Sequence, residues 1–76
     1  MSQIRRIKKL LIPTFVSTEQ AMEWGSHLNA EQHASLVETQ RALSKAALAE
    51  YDLQRMLDLA TQSQLMREAA EAFVPA

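Results

Sequence analysis

Between Ala30 and Phe73 the sequence contains neither glycine nor proline, and the whole chain has one glycine, Gly25, and two prolines. Glycine and proline are the residues that most often mark the end of a helix. Apolar residues recur through this stretch near the 3.6-residue period of an α-helix. From residue 17 onward the sequence therefore predicts an all-α protein.

The stretch without glycine or proline allows either one helix or two. A single helix of 44 residues would be about 66 Å long at 1.5 Å per residue. It would need a sustained heptad to stay buried, but the seven-residue steps from Leu36 reach Glu50 and Gln64. Asp52 is a good N-cap, and with this cap Tyr51 and Met56 have the spacing of a hydrophobic staple. The sequence favours a break at residues 49–52 and thus a helical hairpin.

Residues 46–69, which read AALAEYDLQRMLDLATQSQLMREA, resemble the corner between the two helices of a tetratricopeptide-type or similar alanine-rich hairpin. In such hairpins an acidic residue opens the returning helix. The resemblance covers less than one repeat, and the chain holds no second copy of the pattern. It implies a hairpin and does not assign the chain to a family.

A shorter helix is predicted before the hairpin. Ser17 with Gln20, and Asn29 with Gln32, have the spacing of capping boxes at two helix starts. Gly25 is expected to end the first helix in the left-handed conformation. The predicted fold is a small three-helix unit, a short helix followed by a long antiparallel hairpin, with helices at about 18–24, 30–49 and 53–73. These lie in a helical domain at 17–74.

Two apolar faces are expected to pack the hairpin together, since each follows the helical period. The face on the second helix comprises Leu36 or Val37, Leu43, Ala47 and Tyr51. The face on the third comprises Leu53, Met56, Leu57, Ala60, Met66, Ala70 and Phe73. Because many of these residues are alanines and the chain has only 76 residues, the core is predicted to be thin.

Residues 1–16 form a basic amphipathic N-terminal arm, for which the sequence leaves open a helix or irregular arm on the one hand and a strand on the other. Ile4, Ile7 and Leu11 have helical spacing, with Pro13 ending such a helix, whereas LLIPTFV has the composition of a strand. A lone strand would have to pair with another molecule. Four cations lie in this arm, and the rest of the chain carries four cations against nine carboxylates.

Catalysis and metal binding are not expected. The chain has no cysteine, which excludes disulfides and thiolate metal sites. His27 and His33 are six residues apart, not at the i, i+4 spacing that places two ligands on one helix face. A chain this short also offers little volume for a water-excluding pocket. We predict that the protein is not an enzyme and needs no cofactor or metal.

A helix-turn-helix that reads DNA is also disfavoured. Ala21 and Gly25 have the small-residue spacing of such a unit. Its recognition helix would be NAEQHASLVE, which contains two glutamates and no arginine or lysine, and would therefore repel phosphates. Gly25 is instead interpreted as the corner of a small bundle.

A non-catalytic interaction module or regulatory subunit is the favoured function. Because a two-helix hairpin and a short third helix cannot cover all the apolar surface, some of it is expected to meet a larger partner or a second copy. The predicted binding residues are Ile7, Leu11, Phe15, Leu59, Leu65 and Met66. Accessory proteins of phages and mobile elements often have this size and composition, which is an analogy only.

The alternative function is a dimeric nucleic-acid-associated regulator. Its contacts to phosphates would come from the arm residues Arg5, Arg6, Lys8 and Lys9. The apolar run at Leu10–Val16 is far shorter than the roughly 20 residues of a transmembrane helix and lacks a signal-peptide cleavage pattern. A cytoplasmic location is therefore expected.

Overall fold

The computed structural model describes residues 10–75, which form three helices and no strand. Helix α1 spans Thr18–Gly25, α2 spans Ala30–Leu48 and α3 spans Leu53–Glu71. The predicted all-α fold and the break before Asp52 are confirmed. The observed helix ends lie within two residues of the predicted ones.

Side-chain caps explain where each helix begins. Asn29 and Gln32 form a complete capping box, in which Gln32 N–H donates to Asn29 Oδ1 at 2.8 Å and Asn29 N–H donates to Gln32 Oε1 at 2.9 Å. Asp52 Oδ1 accepts from the backbone N–H groups of Gln54 and Arg55. These bonds satisfy amides that have no partner inside the helix, so the predicted caps of α2 and α3 are confirmed.

At α1 the predicted capping box is only half correct. Ser17 Oγ accepts from Gln20 N–H at 3.1 Å, as expected. The Gln20 side chain, however, accepts from the Val16 N–H at 2.6 Å rather than from that of Ser17. Gln20 therefore connects the helix start to the segment before it.

Gly25 does not have the role predicted for it. No glycine in the described residues has a positive φ, and α1 continues through Gly25 to a right-handed C-cap at Ser26. Gly25 instead lies against α3, where a Cβ atom would be 1.9 Å from the carbonyl oxygen of Ala69. Glycine is needed here because the two backbones approach too closely for any side chain.

Helix α3 is the centre of the fold, since both α1 and α2 pack against it. Phe15, which precedes α1, is 2% exposed and belongs to this core. Its ring meets that of Trp24 edge to face, with the centroids 5.4 Å apart. The buried apolar side chains that form the central cluster are Phe15, Ala21, Leu36, Met66 and Ala69.

The segment at residues 10–16 is neither helix nor strand. It is bonded to α3 through the Gln62 side chain, because Phe15 N–H donates to Gln62 Oε1 at 3.0 Å and Gln62 Nε2 donates to Phe15 O at 2.9 Å. The Gln62 amide thus satisfies both polar groups of a buried residue's backbone. Of the alternatives for the arm, an irregular conformation is found here, and residues 1–9 lie outside the described residues.

Replacing Gln62 with leucine is expected to lower the free energy of unfolding by about 1–3 kcal/mol, because two partly buried backbone groups of Phe15 lose their partner. Urea denaturation measures the change. Gln54→Leu is the matched control, because the Gln54 side chain is exposed and bonds only to Asp58. An equal decrease in the free energy of unfolding in both variants would mean that the hydrogen bonds between Gln62 and Phe15 do not contribute to stability.

Part of the predicted packing is wrong. Leu36, Ala47 and Met66 are buried as expected, but Tyr51 is fully exposed and cannot form the predicted staple with Met56. Leu53 and Leu57 are also exposed. A polar residue, Ser63, is buried instead, and its hydroxyl accepts a hydrogen bond from the Gln40 side chain of α2 at 2.9 Å.

Candidate interaction surface

Four large apolar side chains surround the turn between α2 and α3. Their exposed fractions range from 49% for Leu57 to 101% for Tyr51, with Leu48 at 86% and Leu53 at 66%. Leu53 and Leu57 are four residues apart and thus share one side of α3. We call Leu48, Tyr51, Leu53 and Leu57 the hairpin-end patch. Such a concentration of exposed apolar residues is typical of a surface that binds another molecule.

A groove of about 300 Å³ lies between α2 and α3 and reaches the hairpin-end patch at Leu48. Its walls combine small, apolar and polar side chains. The main contributors are Gln40, Ser44 and Leu48 on α2, and Met56, Ala60 and Arg67 on α3.

The groove lies on a different side of α3 from α1. Gln62 contacts the segment before α1, and Ala69 contacts Gly25 of α1. By the helical period, Ala60 and Arg67 face away from these contacts. Among residues 10–75 the groove is therefore left open, since α1 and residues 10–16 cover other parts of α3.

The charge beside the groove is positive although the body of the protein is acidic. Arg67 lines the groove, and Arg41 and Lys45 follow the same side of α2 as Ser44 and Leu48. The ion pairs found among residues 10–75 are His27 with Glu23 and Arg55 with Glu50. Within that part of the chain, the three groove cations thus have no carboxylate partner.

The carboxylates nearest the hairpin end and the groove are engaged in local contacts. Asp52 caps α3, and Glu50 lies 3.3 Å from the Arg55 guanidinium. Glu68, next to Arg67, accepts a hydrogen bond from the Gln64 side chain at 3.0 Å, which holds the pKa of its carboxyl below the usual value for glutamate. Glu38 and Glu71 lie about one turn beyond Arg41 and Arg67, outside the groove lining.

The structure separates the six residues predicted to bind a partner. Phe15 and Met66 are buried in the core, so neither side chain is exposed to a partner in this fold. They are buried because α1 and residues 10–16 fold back onto α3. Leu59 and Leu65 are half-buried, Leu11 is 84% exposed, and Ile7 lies outside the described residues. Binding through Leu11 stays a prediction.

The residues of the alternative function, Arg5, Arg6, Lys8 and Lys9, also lie outside the described residues. No group of three or more histidine, aspartate or glutamate side chains placed to hold a metal occurs within residues 10–75. His27 contacts Glu23, and His33 stacks on Phe73 with centroids 4.2 Å apart. In the same part of the chain, no helix is long and apolar enough to cross a membrane.

Sequence reasoning missed the hairpin-end patch because it assigned Tyr51, Leu53 and Leu57 to packing faces. One signal was available. The side of α3 that carries Leu53 and Leu57 continues through Gln64 and Glu71, and a polar continuation is typical of an exposed face. For Leu48 no comparable signal exists, because α2 ends at this residue.

No protein-family model matches this chain, and no curated protein or solved structure is significantly similar to it. What the protein binds must therefore be inferred from its own surface. The hairpin-end patch and the adjoining groove are the features of that surface with the clearest chemical character.

Proposed function

We propose that this protein is a small non-catalytic interaction module, a regulatory or inhibitory subunit that binds a larger protein through the hairpin-end patch. The observation that carries the proposal is the exposure of Leu48, Tyr51, Leu53 and Leu57 around one turn. Burying large apolar side chains contributes about 1.5–3 kcal/mol each when the burial is complete. A partner that covers this patch would gain that free energy.

The position of the patch also supports binding by a rigid surface. The turn is fixed by the Asp52 cap and by the contact between Glu50 and Arg55. Leu53 and Leu57 lie on a regular helix. A partner would therefore lose little free energy in ordering this end of the hairpin, and preorganised surfaces bind more tightly for that reason.

The proposal is tested by photo-crosslinking in cells of the source organism. A photoreactive phenylalanine analogue replaces Tyr51, whose side chain is fully exposed, and in a matched variant it replaces Thr39, which is exposed on α2. We expect a discrete adduct with a larger protein from position 51 only. The same adducts from both positions would contradict the proposal.

Leu53→Asp combined with Leu57→Asp is expected to abolish the adduct while leaving the fold intact. Exposed substitutions usually change the free energy of unfolding by less than about 0.5 kcal/mol, and aspartate at the first residue of α3 is favourable to the helix dipole. Thr39→Asp with Thr61→Asp adds the same charge at exposed polar positions and serves as the control. An adduct that persists in the leucine variant would place binding elsewhere, and an adduct of twice the chain mass would identify a second copy instead of a larger partner.

A further inference from the structure

We infer that the groove between α2 and α3 receives an acidic amphipathic helix of the partner protein, with an apolar stripe flanked on both edges by carboxylates. This inference rests on the proposed function and names the chemistry of the partner. It follows from three properties of the groove: its small side chains, its continuity with the hairpin-end patch, and its uncompensated cations.

The floor of the groove suits a helix. Ser44, Ala47, Ala60 and Ser63 line it, and small residues let a helix approach closely enough to pack into the space between two others. The lining spans residues 40–48 of α2 and 56–67 of α3, which is about 12–16 Å of helix at 1.5 Å per residue. A partner helix of about three turns would occupy this length and complete a three-helix bundle on the open side of the hairpin.

The end of the groove near the turn between α2 and α3 is apolar, and it indicates that the partner helix has an apolar stripe. Leu48 and Met56 line the groove there, and the exposed side chains of Leu53 and Leu57 extend the apolar surface beyond it. A helix seated in the groove would cover these residues with side chains at i, i+3 or i+4, and i+7, as amphipathic helices do in hydrophobic grooves.

The cations beside the groove indicate that the partner helix carries carboxylates on both of its edges. Arg67 lines the groove from α3, and Arg41 and Lys45 lie beside it on α2, within one turn of the lining residues Ser44 and Leu48. Within residues 10–75 none of the three has a carboxylate within ion-pair distance. Their separation across the groove favours a helix with acidic residues on both edges, because complementary charges guide association and fix the register of binding.

A nucleic acid fits this surface less well than an acidic helix. Its phosphates would meet the cations, but a polyanion would leave the exposed apolar side chains of the hairpin-end patch without a partner.

The experiment selects peptides from an unbiased display library of 16-residue sequences on the immobilised full-length protein. We expect enriched peptides with apolar residues at helical spacing and aspartate or glutamate on both flanks. Enrichment of neutral or basic peptides, or no enrichment, would overturn the inference. A 20-nucleotide single-stranded DNA is tested in parallel, and its binding through Arg41 and Lys45 would overturn the inference in favour of nucleic acid.

Charge reversals then locate the binding site of an enriched peptide by fluorescence anisotropy. Arg41→Glu with Lys45→Glu is expected to weaken binding about tenfold, since favourable charge pairs become repulsive. Arg5→Glu with Lys8→Glu is the matched double control in the basic arm, and Arg6→Glu, also in that arm, is the single control for Arg67→Glu. Equal weakening by the controls would overturn the inference, because the peptide would then be responding to overall charge.

The leucine variant of the hairpin-end patch separates the two proposals. If crosslinking from position 51 depends on Leu53 and Leu57 while the groove reversals have no effect on peptide binding, the acidic helix is wrong and the interaction module stands. If crosslinking also fails to depend on the patch, the proposed function is wrong.

Discussion

Alanine in place of Gly25 is expected to destabilise the protein by about 1–3 kcal/mol, the range of overpacked interiors. The added Cβ would be 1.9 Å from the Ala69 carbonyl oxygen and 2.6 Å from the carbonyl carbon. Backbone atoms inside a regular helix cannot move aside without breaking hydrogen bonds, so α1 would have to shift away from α3. At an exposed position inside a helix, replacing glycine with alanine would stabilise the protein by about 1 kcal/mol. The sign of the change in stability therefore tests whether α1 and α3 approach closely at Gly25.

The change at Gly25 is measured by urea and thermal denaturation, with Ser26→Ala at the exposed C-cap of α1 as the control. For a domain of this size, each kcal/mol corresponds to about 4–8 °C in Tm. Ala69→Gly combined with Gly25→Ala should not restore stability, because the obstacle is the Ala69 carbonyl and not its methyl group. A stabilised Gly25→Ala variant, or rescue by the second change, would contradict the close approach of α1 and α3.

Phe15→Ala should cost about 3–5 kcal/mol, the usual range for removing a buried phenylalanine. Phe15 is one of the two largest fully buried side chains, with Leu36, and it fixes the segment at residues 10–16 to the helices. Loss of the ring also removes its edge-to-face contact with Trp24. We expect the free energy of unfolding to fall and the fluorescence of Trp24, the single tryptophan, to change with it.

Two neighbouring substitutions calibrate the effect at Phe15. Phe15→Leu keeps most of the buried volume and should cost less than about 1.5 kcal/mol, and Val16→Ala removes an exposed side chain and should change stability by less than about 0.5 kcal/mol. Urea denaturation followed by Trp24 fluorescence measures all three variants. A cost for Phe15→Ala no larger than that for Val16→Ala would mean that residues 10–16 do not belong to the folded core.

The helix starts and the hairpin break could be predicted because they depend on local chemistry. Asn29 and Asp52 bond to amides within three residues of themselves, so the sequence around each cap contains the whole interaction. The break was further favoured because Glu50 and Gln64 interrupt the heptad. These features need no knowledge of what lies elsewhere in the fold.

The core and the candidate surface could be predicted only in part, because they depend on which side of α3 each neighbouring segment packs against. Apolar spacing gives several acceptable faces on a helix as rich in apolar residues as α3, and the choice is made by α1 and residues 10–16. Phe15 is therefore buried although it was predicted to bind a partner, while Leu53 and Leu57, predicted to pack in the hairpin, are exposed. The long-range pairs of Gly25 with Ala69 and of Gln62 with Phe15 leave no mark in the local sequence.

The contact between Gln62 and Phe15 constrains the two positions unequally over evolution. Gln62 bonds to the backbone of Phe15 through one donor and one acceptor, and among neutral side chains of its length glutamine is the one that supplies both groups. Any residue except proline at position 15 presents the same backbone N–H and C=O groups, whereas few side chains at position 62 can bond to both. Descendants of this chain could therefore exchange one large apolar residue for another at position 15 while the glutamine at position 62 stays unchanged.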